Sequence, residues 1–178
     1  MKPTKKPAVR LFLALWPDDA VRRQLHSIQQ GWAWPPEAAP VGADQLHLTL
    51  HFLGNVPLER LGEFARALAV EAGPVTLELR TARPRVWPGG IAVLELASTP
   101  ALLRLHASLA GALAGLGWPQ EERRYRPHVT LARRAAGARP PAGEPAPAEW
   151  HAGTGYALVR SIPGHGYEVV RLYGRRDP

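Results

Sequence analysis

The chain contains no cysteine. That single absence excludes disulfides, thiolate metal sites and thiol nucleophiles. Chemistry must then come from histidine, serine, threonine, tyrosine, lysine or carboxylates. Lysine is nearly absent as well: Lys2, Lys5 and Lys6 are three of the 22 cations, so the other 19 are arginine. No apolar run approaches the roughly 18–20 residues of a membrane span. Leu11–Trp16 is too short for a secretory core and lacks a small-residue cleavage site behind it, so a cytoplasmic protein without membrane association is expected. There is no Gly-rich phosphate loop, no G-x-S-x-G and no H-E-x-x-H, which argues against ATP use, a serine hydrolase and a zinc protease.

What is present suffices for a packed core. The 178 residues are 46% hydrophobic, enough for one domain or for two small lobes sharing a cleft. Residues 1–8 are expected to form a disordered basic tail and 9–178 a single bilobal domain. The net charge of +7 suits a polyanionic partner, and guanidinium forks suit phosphate in particular. A general compositional preference for Arg, Ala, Gly and Pro explains the arginines equally well.

Val9–Trp16 is a β-rich run, and Asp18 is placed to cap a helix through about Gln30 that buries Val21, Leu25 and Ile28. Leu46–Phe52 alternates strictly and is expected to end at Gly54–Asn55. Pro57 is expected to open a helix through about Ala72, with Leu58, Leu61, Phe64, Ala65 and Leu68 as its apolar stripe. Val75–Ala82 and Ile91–Leu96 read as strands, the latter after a Pro88–Gly89–Gly90 turn. Thr99–Pro100 starts a helix to about Leu116. His128–Ala132 is a short strand, Arg134–Pro147 a mobile surface loop, and Gly155–Ser161 and Tyr167–Tyr173 are closing strands. The pattern describes an α+β protein with antiparallel sheets and about three main helices.

Two segments carry the chemistry. His47–Leu48–Thr49–Leu50 and His128–Val129–Thr130–Leu131 share one pattern, 81 positions apart. On a strand, residues i and i+2 share a face. Each segment therefore buries its aliphatic pair and presents an imidazole and a hydroxyl on the other side. Side by side, the two strands would bring two histidines and two threonines to one spot. One neutral imidazole can take a proton from a nucleophile while the other, protonated, gives one to the departing oxygen. The threonines can donate to non-bridging phosphate oxygens. One H-x-T alone is a common pattern on half-exposed strands; the repeat is what makes the signal.

A metal centre is the sharpest competitor, because His51 shares a face with His47. On a strand, however, i and i+4 lie about 13 Å apart, too far to bind one ion, and acidic residues are missing near both motifs. No metal or cofactor is expected. His51 reads as a cleft-edge or surface residue, and His26, His106, His151 and His165 as surface or structural ones.

With these residues in place, the sequence resembles the 2H phosphoesterase superfamily, and more closely its RNA 2′,3′-cyclic phosphodiesterases, also called 2′-5′ RNA ligases. The resemblance rests on both H-x-T-x motifs, the opening Arg10–Asp19, the block Gln45–Val56 (QLHLTLHFLGNV), Arg126–Arg133 (RPHVTLAR) and the close LVRSIPGHGYEVV. It runs from about Val9 to Tyr173. Gln45 stands where Asn is common, Trp16 where a smaller residue is usual, and His51 at a variable position. The resemblance implies a bilobal, pseudo-twofold fold: two antiparallel sheets with flanking helices around a central cleft. It also implies hydrolysis of RNA 2′,3′-cyclic phosphate ends to 2′-phosphomonoesters without metal or ATP, with reversible 2′-5′ ligation by the same apparatus. His47 would be the proton donor and His128 the proton acceptor; Thr49 and Thr130 would bind phosphate. Arg133 matches a basic position after the second motif, and acting from the strand's end it is a further candidate phosphate contact. Tyr167 and Phe12 could stack bases, although core packing suits Phe12 better. The expected partner is an RNA end, and a monomer is expected. Alternatives are a phosphodiesterase for 2′-5′ oligonucleotides or small cyclic phosphates, and an RNA-end-binding protein without turnover.

Overall fold

The computed structural model describes residues 7–143 and 148–174. The lysine-bearing start of the expected tail, and 144–147 of the expected loop, lie outside the described residues. Pro7 and Ala8 are described: Leu58 N–H donates to Pro7 O at 2.9 Å, and Ala8 opens strand β1.

The apolar run Ala8–Leu15 forms β1, and it is buried on both faces, as a continuous rather than alternating sequence requires. Leu11, Leu13 and Leu15 enter the main core, while Phe12 and Ala14 join Ala157 and Val159 in a second, smaller cluster. Asp18 caps helix α1 (Asp19–Gln30) by accepting from Val21 N–H at 2.8 Å. The periodicity puts Ile28 on the buried face, where it packs partly buried against the core; the neighbouring Gln29 is more deeply enclosed, at 1% exposure. Its amide nitrogen donates to Val41 O at 2.8 Å and to Leu131 O at 2.7 Å. His26 Nδ1–H donates to its Oε1 at 3.0 Å. Burial without these partners would be costly; with them, Gln29 ties α1 to the segment that leads into the first motif and to the last residue of the second.

The short β2 (Ala39–Pro40) is not expected from the sequence. The long β3 (Leu48–Pro57) does not stop at Gly54–Asn55. Gly54 has φ +72°, and the pairing with β1 slips between Leu11/Phe12 and Gly54/Phe52. The glycine thus accommodates a bulge rather than ending the strand. In place of one helix from Pro57 to Ala72 there is a 3₁₀ turn at Leu58–Arg60 followed by α2 (Leu61–Ala67). Leu58 is 45% exposed and leaves the predicted stripe. Tyr156 is the reason for the early stop: its hydroxyl accepts from Val70 N–H at 2.8 Å and lies 2.9 Å from Leu68 O. Backbone groups that would have continued the helix are thereby engaged.

The strand expected over Val75–Ala82 is shorter than that. β4 (Val75–Glu78) ends in a turn closed by Ala82 N–H to Leu79 O, and β5 (Arg83–Trp87) begins beyond it. β5 and β6 (Ile91–Glu95) make a hairpin, and Thr99 caps α3 (Pro100–Gly115) by accepting from Leu102 N–H at 3.2 Å. The remaining strands are β7 (His128–Arg133), β8 (Glu149–Gly153), β9 (Tyr156–Ile162) and β10 (Gly166–Tyr173). Sequence periodicity does not disclose β5 or β8.

All strand pairings are antiparallel. One sheet runs β10-β9-β1-β3-β7-β6-β5, with β2 on β7, and β4 pairs with β8 in a second. At its centre β3 meets β7 through the single pair Leu48↔Val129. The large sheet therefore falls into two halves that touch at one seam, and each half brings one H-x-T motif to it. No described helix is long and apolar enough to cross a membrane.

Candidate active site

The antiparallel seam dictates how the motifs meet. With Leu48 opposite Val129, the strands carry His47 toward Thr130 and Thr49 toward His128. An approximate twofold axis passes between the central pair. Leu48, Leu50, Val129 and Leu131 are at most 2% exposed in the core, whereas His47, Thr49, His128 and Thr130 are half-buried on the other face. His47 stands one residue before β3 begins, so its position is set by the strand but its backbone is not in the ladder.

The two imidazoles are held alike. His47 Nδ1 lies 2.7 Å from Gln45 O, and His128 Nδ1 lies 2.7 Å from Arg126 O. A carbonyl only accepts, so Nδ1 carries the hydrogen in both rings and Nε2 is left as the basic nitrogen. Thr49 Oγ1 is 3.1 Å from His47 Nε2, close enough for its hydroxyl to donate to the neutral ring.

The surroundings of the two rings differ. His47 sits in an aromatic box: Phe12 at 4.8 Å, Trp16 stacked at 5.5 Å and Tyr167 edge-on at 5.3 Å between centroids. Burial there pushes its pKa down to about 4, with the charges of His128 and Arg133 adding to the fall and the Gln45 carbonyl opposing it. His128 packs at 4.4 Å against Trp87. Glu95 is its register partner on β6, accepts from Trp87 Nε1–H at 2.6 Å and pairs with Arg126, whose guanidinium lies 4.6 Å over the Trp87 ring. Burial lowers the His128 pKa as well, but the Arg126 carbonyl and the Glu95 and Glu121 carboxylates work against the fall.

The structure thus brings His47, Thr49, His128 and Thr130 together at the seam. Arg133, exposed at the end of β7, is near enough for its charge to act on His47. Tyr167 packs against His47, and Phe12 is 3% exposed in the small cluster on the cleft face. The sequence puts His51 at the cleft edge or surface and leaves His106 without a partner; together they form a wall of the cleft. The His51 ring stacks on His106 at 3.9 Å, His106 stacks on Tyr125 at 4.0 Å, and His51 Nε2–H donates to His106 O at 2.9 Å. Tyr125 O–H donates to Thr49 O at 3.0 Å, joining the approach to the second motif directly to the first. Trp87 and Glu95 are further residues of the site that no motif announces, and the sequence assigns no role to Arg126, which opens the RPHVTLAR block. The Pro88–Gly89–Gly90 turn is the available signal, since a hairpin closing there puts Trp87 beside the strand that pairs with His128. His151 and His165 are exposed. Among the described residues, no three His, Asp or Glu side chains are gathered as metal ligands would be.

Comparison with known proteins identifies the family. The family model of the 2′-5′ RNA ligase superfamily matches residues 17–154. An RNA 2′,3′-cyclic phosphodiesterase of Thermus thermophilus is 33% identical, over 94% of this chain and 91% of its own length. One from Escherichia coli K12 is 37% identical over 72% of this chain and 74% of its own. Among solved structures, a phosphoesterase superimposes with a TM-score of 0.82 at 27% identity, covering 96% of this chain and 100% of that one. E. coli LigT complexed with 3′-AMP gives 0.74 at 29% identity, covering 94% and 98%. Matches of this extent establish that the chain belongs to the 2′-5′ RNA ligase superfamily.

Proposed function

We propose that this protein hydrolyses 2′,3′-cyclic phosphate ends of RNA to 2′-phosphomonoesters by two-histidine acid–base catalysis. The observation that carries the reading is the matched pair of imidazoles across the seam, each fixed by an Nδ1–H bond to the carbonyl two residues back. The named activity of the relatives supports the substrate class.

In the reaction, a water oxygen attacks phosphorus in line with the P–O3′ bond. His128 Nε2 takes the water proton, the P–O3′ bond breaks, and His47 Nε2–H protonates the departing O3′. Thr49 and Thr130 donate to the non-bridging oxygens, and Arg133 adds positive charge. The surroundings suit this division of labour. Glu95 beside His128 favours the imidazolium that forms there as the base takes up its proton. Burial makes His47 a strong acid once it is charged. Burial chiefly, and the charges of His128 and Arg133 after it, hold the His47 pKa down; a bound phosphodiester anion pulls the other way, so substrate itself promotes protonation of the donor. Attack by an RNA 5′-hydroxyl on the cyclic phosphate, with the same proton transfers, would form a 2′-5′ bond.

The test is an oligoribonucleotide ending in a 2′,3′-cyclic phosphate, incubated with EDTA and resolved by chromatography. A 2′-phosphomonoester product is expected. His47→Ala and His128→Ala should each reduce kcat by about 10²–10⁴-fold, the range for a positioned acid or base. A strict divalent-metal requirement, a 3′-phosphate product, RNA binding without turnover, or a histidine variant at wild-type rate would each overturn the mechanism.

A further inference from the structure

We infer that the cleft beside His128 is a track for the nucleotides that precede the reacting end of a single-stranded RNA. The inference rests on the proposed reaction and extends it from the terminal phosphate to the strand behind it.

The cleft has a volume of about 410 Å³, and Thr49 and His128 form part of its wall, so it is continuous with the seam. That volume lies within the range of roughly 300–1,000 Å³ usual for ligand pockets. On the other side of the centre, Phe12, Trp16 and Tyr167 pack around His47. A strand whose 3′ end sits between the histidines has its open exit past His128.

The lining suits single-stranded RNA on two counts. First, it offers an exposed flat ring. His51, His106 and Tyr125 stack on one another, and Trp87 packs against His128 under the Arg126 guanidinium, but Phe52, which also lines the cleft, is 60% exposed. A ring that exposed beside a charged centre is a platform on which a base can stack. Second, it is cationic, with Arg123, Arg124 and Arg126 against Glu121. Arg126 is committed to Glu95 and lies over Trp87. Arg123 and Arg124 are exposed at the rim, and they are the groups that would follow the phosphodiester backbone. A ring that stacks on any base, and guanidinium groups that follow phosphates, recognise a strand without reading its sequence.

The experiment uses the full chain and substrates that all end in a 2′,3′-cyclic phosphate, from the mononucleotide to the tetranucleotide. For the wild type, kcat/KM should rise at least about fivefold on adding the first upstream nucleotide, the lower end of what one stacked base contributes. Arg123→Ala/Arg124→Ala should lower this gain and reduce the slope of log kcat/KM against log salt by about 1.4, at roughly 0.7 per lost single-strand phosphate contact. Phe52→Ala should lower the gain and leave the salt slope unchanged. A charge-matched control on the helices, Arg23→Ala/Arg66→Ala, should retain both gain and slope. A wild type that turns over the cyclic mononucleotide but is indifferent to length would overturn the track alone. A double variant that keeps the full length gain, or that loses mononucleotide turnover equally, would also overturn it. A wild type inert on every substrate would overturn the underlying reaction and the track with it.

Discussion

Replacing Glu95 by glutamine tests the asymmetry between the two histidines. The substitution keeps an oxygen for the Trp87 indole N–H and removes one negative charge directly across the ladder from His128. Facing side chains on paired strands lie about 5 Å apart at Cβ. At an effective dielectric near 20, a charge pair some 6 Å apart interacts by about 3 kcal/mol. Arg126 repels the His128 imidazolium before and after the substitution and so drops out of the difference, while solvent and salt at this partly exposed site screen the attraction. A net effect near 1 kcal/mol remains, equal to somewhat under one pH unit. The sign follows from the charge: without the carboxylate, the imidazolium is less favoured and the His128 pKa falls. In Glu95→Gln the acidic limb of the kcat profile, where the base is lost by protonation, should move to lower pH by about 0.5–1 unit. The plateau should drop a few-fold, because a weaker base removes the proton less readily. Histidine NMR titration reads the same shift directly through the His128 ring protons, with His47 as internal comparison. A His128 midpoint that is unchanged or raised, beside a normal His47, would refute the role given to Glu95.

Other outcomes follow from the cleft wall. Burial holds the His106 pKa at about 4, against 6.5 for the ordinary side chain. As pH falls, the unfolded chain therefore takes up this proton first. The stabilisation from keeping the ring neutral is intact above pH 6.5 and is lost progressively between 6.5 and 4. The gap sets a ceiling of about 3 kcal/mol, reduced because the ring is only half-buried. His106→Phe keeps a stacking ring without the titration, so its Tm should fall less than that of the wild type between about pH 7 and pH 4.5; parallel curves would contradict this account. Tyr125→Phe removes the hydroxyl that joins the second motif's approach to Thr49 O, a loss of about 1 kcal/mol. For a chain of this size that lowers Tm by about 2–4 °C, as calorimetry would show. An unchanged Tm would mean that the bond contributes nothing across the seam.

The parts of the molecule that depend on local periodicity were legible in the sequence. Leu48, Leu50, Val129 and Leu131 alternate with polar residues, and that alternation is what buries one face and presents the other. Asp18 and Thr99 cap helices where a side-chain oxygen precedes an apolar period. What escaped depends on partners distant along the chain. Gly54 looks like a terminator until β1 is seen to slip past it. The end of α2 is decided by the hydroxyl of Tyr156, 86 positions from Val70. Arg83–Trp87 alternates poorly and carries Pro84, so only its pairing with β6 identifies it as a strand. The asymmetry of the site escaped for the same reason. Glu95 and Trp87 reach His128 only through cross-strand register, and nothing local to the RPHVTLAR segment announces them.

The seam at Leu48 and Val129 also bears on what the cleft is shaped to hold. A cyclic phosphodiester has one bond about to break and none yet formed, and its product has the reverse; neither is symmetric about phosphorus. Midway through an in-line displacement, the entering and departing oxygens stand opposite each other as near equivalents. A cleft whose imidazoles and hydroxyls are exchanged by an approximate twofold axis matches that midpoint better than either end of the path, which is the condition for lowering a barrier rather than merely retaining a ligand. In the proposed reaction, the departures from symmetry, an aromatic box on one side and a carboxylate on the other, would decide which oxygen is treated as the one that leaves.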